Sequence, residues 1–207
     1  MKSLNSIPAL AFLFVLLASC SDDEAIKVQN NYNDNEMISI LNVMSVEIDS
    51  LELKGDLERD FAKLLTIHHQ GAIDMGMKQI AKGDDAALKI MAKEMVDMQQ
   101  SEMDKLDFFL VEHNVKSSPQ GYHWDDEAEA SMTRMNNDAA IQGTTGDADN
   151  DYAALLIHHH RAANELAQSF LQHSDQSELN EIASKMIEDQ NIRIEQLQNW
   201  LLQNKPQ

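Results

Sequence analysis

Apolar residues recur at helical spacing along most of this chain. Met37, Ile40, Leu41, Met44 and Ile48 step by three and four and predict a short leading helix, broken at Gly55. A second helix is expected from about Leu57 to Ala81, with Lys82-Gly83 as its C-terminal stop. A third runs from about Asp85 to Asn114, ahead of Ser117-Ser118-Pro119. Residues Lys116 to Asn150 carry Gly121, Gly143 and Gly146 and read as a loop-rich connection with a short helix from Asp126 to Ile141. Two more helices are expected, Asp151 to Gln172 and Gln176 to Leu202, the last opened by a Ser174-Asp175 cap signal.

One segment of this pattern occurs twice. Asp60-Phe61-Ala62-Lys63-Leu64-Leu65-Thr66-Ile67-His68-His69 returns 91 residues later as Asp151-Tyr152-Ala153-Ala154-Leu155-Leu156-Ile157-His158-His159-His160. The match continues without a gap through the following helix. Leu88, Ala92, Met95, Gln99, Leu106 and Leu110 correspond to Leu179, Ala183, Met186, Gln190, Leu197 and Leu201, one stripe of one helix face. Two αα-hairpins showing the same face to a common core, joined by a long connection, predict an all-α, ferritin-like four-helix bundle with one crossover and a short N-terminal helix. The domain is expected over residues 36–203, with units of about 56–114 and 147–203.

Polar residues interrupt the core stripes at matching places. His68 and His159 lie on the stripe itself, while His69 and His160 are turned about 100° round the helix. Gln99 and Gln190 lie on the facing stripes. A buried polar group needs a partner. A hydrogen-bonded His–Gln layer would supply one and do no chemistry. Paired histidines at equal depth in both halves favour a metal site instead. Neither helix places a second histidine four residues on, so any site must be assembled between helices. Met75 shares the face of His68, and Met91, Met95, Met98 and Met103 follow on the next helix. Thioether and imidazole without thiolate suit copper(I). The second unit has Leu166 where Met75 stands, so methionines should favour the first unit. His158 points off the stripe, and His113, His123 and His173 fall at helix ends or in loops, where solvation is expected. Copper affinity should fall below about pH 6, because ligand imidazoles must be neutral.

Charge and the N-terminus narrow the setting. The formal net charge is −19, and losing Lys2 with a leader makes it −20. That repels nucleic acid and anionic lipid surfaces. Ala9 to Leu17 form an apolar run too short to span a bilayer, ending in Leu17-Ala18-Ser19-Cys20. Residues 1–19 therefore read as a lipoprotein signal peptide, with Cys20, the only cysteine, as the lipidated residue. Residues 20–35, acidic and then Asn-rich, read as a flexible tether. The expected location is the cell envelope, as an outer-membrane lipoprotein with surface exposure as one option, touching membrane through its lipid alone.

The two His-His segments resemble domain-of-unknown-function family 305, with its twice-occurring Met-Ile-x-His-His-x-x-Ala-x-x-Met helix and following Gln-Gln-x-Glu-Ile helix. Here the segments are Leu65-Thr66-Ile67-His68-His69-Gln70-Gly71-Ala72-Ile73-Asp74-Met75 and Gln99-Gln100-Ser101-Glu102-Met103. The resemblance implies a ferritin-like bundle in exported proteins, some linked to copper. Carried over, it implies His68, His69, Met75, His159 and His160 as metal ligands, with Met95, Met98 and Met103 as additional thioethers. Leu64, Leu65, Leu155 and Leu156 stand where the family commonly has methionine, and Arg193 stands in place of the glutamate.

The expected function is sequestration of, or tolerance to, a transition metal, copper first. The alternative is a structural or interaction module with a hydrogen-bonded core layer. No acidic residue lies three positions before any histidine, which argues against a di-iron oxidase. No P-loop, His-Glu-x-x-His or Gly-x-Ser-x-Gly is present, and no enzymatic activity is expected.

Overall fold

The computed structural model describes residues 35–114 and 124–204. The expected leader, Cys20 with its expected lipidation, most of the expected tether and His123 lie outside the described residues. Six α-helices and no strand are present among the described residues: α1 (Glu36–Asp49), α2 (Leu57–Lys82), α3 (Ala86–Glu112), α4 (Trp124–Gln142), α5 (Ala148–His173) and α6 (Ser177–Gln203). None of them is long and apolar enough to cross a membrane. The hairpins α2–α3 and α5–α6 meet through α2 and α5 and form the expected all-α, ferritin-like bundle. Asp residues cap three of the four long helices: Asp56, Asp85 and Asp147 accept the N–H of Arg59, Leu88 and Asn150. The Ser174-Asp175 signal works differently. Ser174 already ends α5, so Gln176 precedes α6 without a side-chain cap bond, and Ser174 Oγ accepts the Gln176 N–H instead.

The connection between hairpins holds more order than its glycines suggest. α4 packs along α5 as α1 packs along α2. Offset by 91 residues, α1 falls on α4, and buried Met37, Leu41 and Met44 correspond to buried Ala128, Met132 and Met135. The repeated unit is therefore three helices, and the two copies touch at equivalent positions. Ser45 Oγ donates to Asn136 Oδ1 at 3.1 Å, a pair 91 residues apart.

The repeat also reaches back into the turn before each long helix. Gly55 and Gly146 have φ of +71° and +82°, a conformation that favours glycine. Each precedes an N-cap aspartate, and four residues later a second aspartate folds back under the turn. Asp60 Oδ2 accepts the N–H of Lys54, Gly55 and Asp56 at 2.8, 2.8 and 3.2 Å. Asp151 accepts those of Thr145 and Gly146 at 2.6 and 3.1 Å. Asp60→Ala strands three donors at once. Urea unfolding should show a loss of about 2–3 kcal/mol, since one stranded donor is worth about 1–3 kcal/mol. A loss below about 0.5 kcal/mol would mean that water replaces the carboxylate freely.

Candidate metal centre

The bundle core is two apolar clusters with a polar layer between them. One cluster takes Ala72 and Met75 of α2, Leu88, Ala92 and Met95 of α3, Tyr152 to Ile157 of α5 and Leu197 of α6. The other takes Leu57, Phe61 and Leu65 of α2, Leu106 and Phe109 of α3, Ala163, Leu166 and Phe170 of α5 and Leu179, Ile182 and Met186 of α6. Between these groups each of the four long helices places polar side chains that are buried or partly so: His68 and His69, Gln99 and Glu102, His159 and His160, Gln190 and Arg193. The crossed order also shows that α2 and α5 run antiparallel. Phe61 of α2 accordingly stacks on Phe170 of α5, with centroids 3.8 Å apart.

His68, His69, His159 and His160 are all fully buried, including His69 and His160, which the sequence placed beside the stripe. His68 and His159 stack on one another, with ring centroids 3.7 Å apart and planes 29° off parallel. They occupy equivalent positions in the two units and so meet on the pseudo-twofold axis. His69 Nε2 lies 2.8 Å from Glu102 Oε2, a buried carboxylate on α3. Apart from that nitrogen, every ring nitrogen of the four histidines lacks a hydrogen-bond partner among the described residues. The amides of Gln99 and Gln190 stand in the layer as expected, but they also lack partners and make no bond to the histidines. The His–Gln hydrogen-bonded layer is therefore not what the helices build. His68 faces His159 because α2 and α5 adjoin at the centre, and the carboxylate that reaches an imidazole is Glu102.

Electrostatics keep His68, His159 and His160 neutral. Burial, reinforced by His159 and His69, holds His68 well below the ordinary histidine range. Burial with the neighbouring His160 and His69 does the same to His159. His160 is pushed down to about 3 by burial, His68, the Arg193 guanidinium and His69. For His68, His159 and His160 the expected fall in metal affinity below about pH 6 therefore moves lower, because burial opposes their protonation in the fold.

The donor set fits a soft or borderline cation: neutral imidazoles with free nitrogens, in a layer that water reaches poorly. The two halves differ. If His69 donates Nε2–H to Glu102, its Nδ1 lone pair remains available, the carboxylate–histidine arrangement that orients metal ligands. At the equivalent place beside His160, Arg193 brings a positive charge, its Nε buried and unpartnered among the described residues.

The methionines divide along the same lines. Met75 and Met95 are buried in the cluster on one side of the layer, and Met186 in the cluster on the other. Met98 and Met103 are half-buried on α3. His158 lies off the layer as expected, half-buried, its Nδ1 3.6 Å from Asp138 Oδ2 on α4. His173 is exposed. His113 departs from expectation: its side chain is 5% exposed and its Nε2 lies 3.0 Å from both carboxylate oxygens of Asp56. It ends α3 beside the start of α2, a proximity that helix ends alone did not reveal.

Comparison with known proteins agrees with this architecture. No curated protein matches the chain significantly. Among solved structures, CopM in the apo form shares 20% identity and a TM-score of 0.55, over 72% of this chain and 98% of that one. CopM in the Ag-bound form gives the same identity and TM-score, over 72% and 97%. CopM in the Cu(II)-bound form gives 23% and 0.54, over 70% and 96%. At such identities the likeness is one of fold. A family model described as a domain of unknown function, DUF305, matches residues 19–110 and again 58–201, spanning the repeat and its turns. The chain belongs to the DUF305 family.

Proposed function

We propose that the protein captures copper, as copper(I), in the histidine layer of its bundle and serves sequestration or tolerance rather than catalysis. The observation that carries this reading is the set of buried imidazole nitrogens without partners, between two apolar clusters. Leaving a buried polar atom unpaired costs about 1–3 kcal/mol. A layer containing several such atoms is worth keeping when a ligand uses them. His68, His69, His159 and His160 are the proposed ligands, with Met75, Met95, Met98 and Met103 as neighbouring thioethers. Glu102 biases the cation toward the first unit, and Arg193 repels it from His160. Support from the fold comes from CopM, whose solved structures include Ag-bound, Cu(II)-bound and Cu(I)-bound forms. In this reading Cys20 carries lipid and holds the domain at the outer membrane, where an acidic surface gathers cations.

The test is a titration of the purified protein with copper(I) against a competing chelator, alongside silver(I). Tight binding of either ion with a rise in melting temperature is expected. If neither ion binds or raises the melting temperature, the reading fails.

A further inference from the structure

We infer a second cation site, separate from the histidine layer, where the end of α3 meets the start of α2. Its ligands are Asp56, Glu58 and His113. One donor atom from each lies within 4.8 Å of the others, in a corner where Asp56 and Glu58 are buried and His113 is nearly so.

Three observations point to a ligand there. Glu58 is only 9% exposed, yet its carboxylate has no hydrogen bond or ion pair with any described residue. Its oxygen is nevertheless aimed at the Asp56–His113 pair. Two carboxylates are thus brought close together in a largely buried corner, an arrangement that a cation relieves. The nearby guanidinium does not supply that charge, because Arg59 Nη1 is engaged by Asp60 Oδ1 at 3.1 Å.

The second unit provides an internal control. The equivalents of Asp56, Glu58 and His113 are Asp147, Asp149 and Asn204. There the corresponding groups are committed to the fold. Asp149 accepts the Gln79 amide and the N–H groups of Asp84 and Asp85, the latter two at 3.0 and 2.9 Å. Asp147 caps α5, and Asn204 Nδ2 donates to the Trp200 carbonyl. The first unit instead has a longer acid that makes no such bond, together with an imidazole. Phe109 stacks on that imidazole at 4.7 Å.

The chemistry selects a divalent cation of borderline hardness, with zinc(II) as the probe. Two carboxylates and one imidazole are a poor set for copper(I) and a common one for zinc, with a fourth position left for water. Tetrahedral zinc needs ligand atoms about 3.4 Å apart, given bonds of about 2.0–2.1 Å. His113 Nε2 and Asp56 are already at 3.0 Å, so Glu58 is the group that must close in. The cation takes the Nε2 lone pair, with the imidazole proton held on Nδ1. Asp56 Oδ1 keeps its cap bond to the Arg59 N–H.

Calorimetric titration of metal-free protein with zinc(II) tests the site. To remove the central pair of the histidine layer from the result, it is run in the His68→Leu/His159→Leu background as well as in wild type. One zinc per chain should bind in that background, and at least one in wild type. Glu58→Gln and His113→Gln should each weaken it at least 100-fold, and zinc should raise the melting temperature of the parent but not of Glu58→Gln. Glu58 makes no bond in the fold, so Glu58→Gln should melt no lower than its parent without metal. Equal zinc affinity in parent and both variants overturns the site, as does the absence of zinc binding. Copper(I) affinity should be unchanged in Glu58→Gln. A protein that binds zinc here and no copper(I) would sink the histidine-layer reading alone.

Discussion

Replacing His68 and His159 together by leucine should abolish most copper(I) binding while leaving the metal-free fold as stable as before or more so. The loss is expected to reach at least about 100-fold, or about 2.7 kcal/mol, measured by chelator competition. The two rings stack on the pseudo-twofold axis and contribute four ring nitrogens that bond to nothing described. Removing an unsatisfied buried donor or acceptor recovers its desolvation penalty, and apolar groups of similar size in its place are neutral or stabilising. Leucine is a better replacement than alanine because the layer lies between two filled clusters, where a cavity would confound the result. Urea unfolding of the metal-free variant supplies the second measurement. A hydrogen-bonded structural layer predicts the reverse, with stability lost and no metal affinity to lose. Retained copper(I) affinity in the double variant would sink the histidine-layer assignment.

Acid should unfold the metal-free protein steeply. His68, His159 and His160 all titrate below their ordinary range in the fold, His160 at about 3, because burial opposes their charge. Once unfolded, they titrate near pH 6.5. Between those values the unfolded chain binds more protons, so stability is full above about pH 6.5 and falls as pH drops toward the folded values. Each such histidine contributes about 1.4 kcal/mol per pH unit in that window, or about 4 kcal/mol per unit for three together. A domain of ordinary stability, about 5–15 kcal/mol, is exhausted within a few pH units of that slope. Circular dichroism against pH should therefore show cooperative unfolding between about pH 5 and 4. Copper(I) should move the midpoint lower, because it binds the neutral rings of the fold alone. A metal-free protein still folded at pH 3 would mean that these imidazoles reach water or a counter-charge.

Much of this was legible beforehand, for a physical reason. Helical spacing survives in the sequence because the core face of each helix must be apolar, so the bundle and its hairpins followed from the stripes of Leu88 to Leu110 and Leu179 to Leu201. A histidine on such a stripe stands out, and His68, His159, Gln99 and Gln190 were found that way. What spacing cannot report is which side chains meet across helices. The stacked His68–His159 pair, the Glu102 carboxylate on His69 and the Asp56–His113 contact depend on how ends and faces are brought together in space. Burial of His69 and His160 was missed because a layer at the bundle's midpoint encloses residues well off the central stripe. The turn repeat could have been found. Gly55-Asp56 with Asp60, and Gly146-Asp147 with Asp151, lie at the same 91-residue offset as the histidines. The α4 helix lies where it was expected, but its equivalence with α1 was not read, although its buried Met132 and Met135 keep the register of Leu41 and Met44.

The polar layer has one further consequence, for ancestry. Two equal three-helix units that touch through the same residues, His68 with His159 and Ser45 with Asn136, have the geometry of a homodimer written into one chain. In a true homodimer a single codon sets both sides of the axis, so a glutamate beside one imidazole pair forces a glutamate beside the other. Fusion frees the halves to drift apart. Glu102 and Arg193 occupy the same place in the two units with opposite charge, a polarised interior that no symmetric dimer of one sequence could hold.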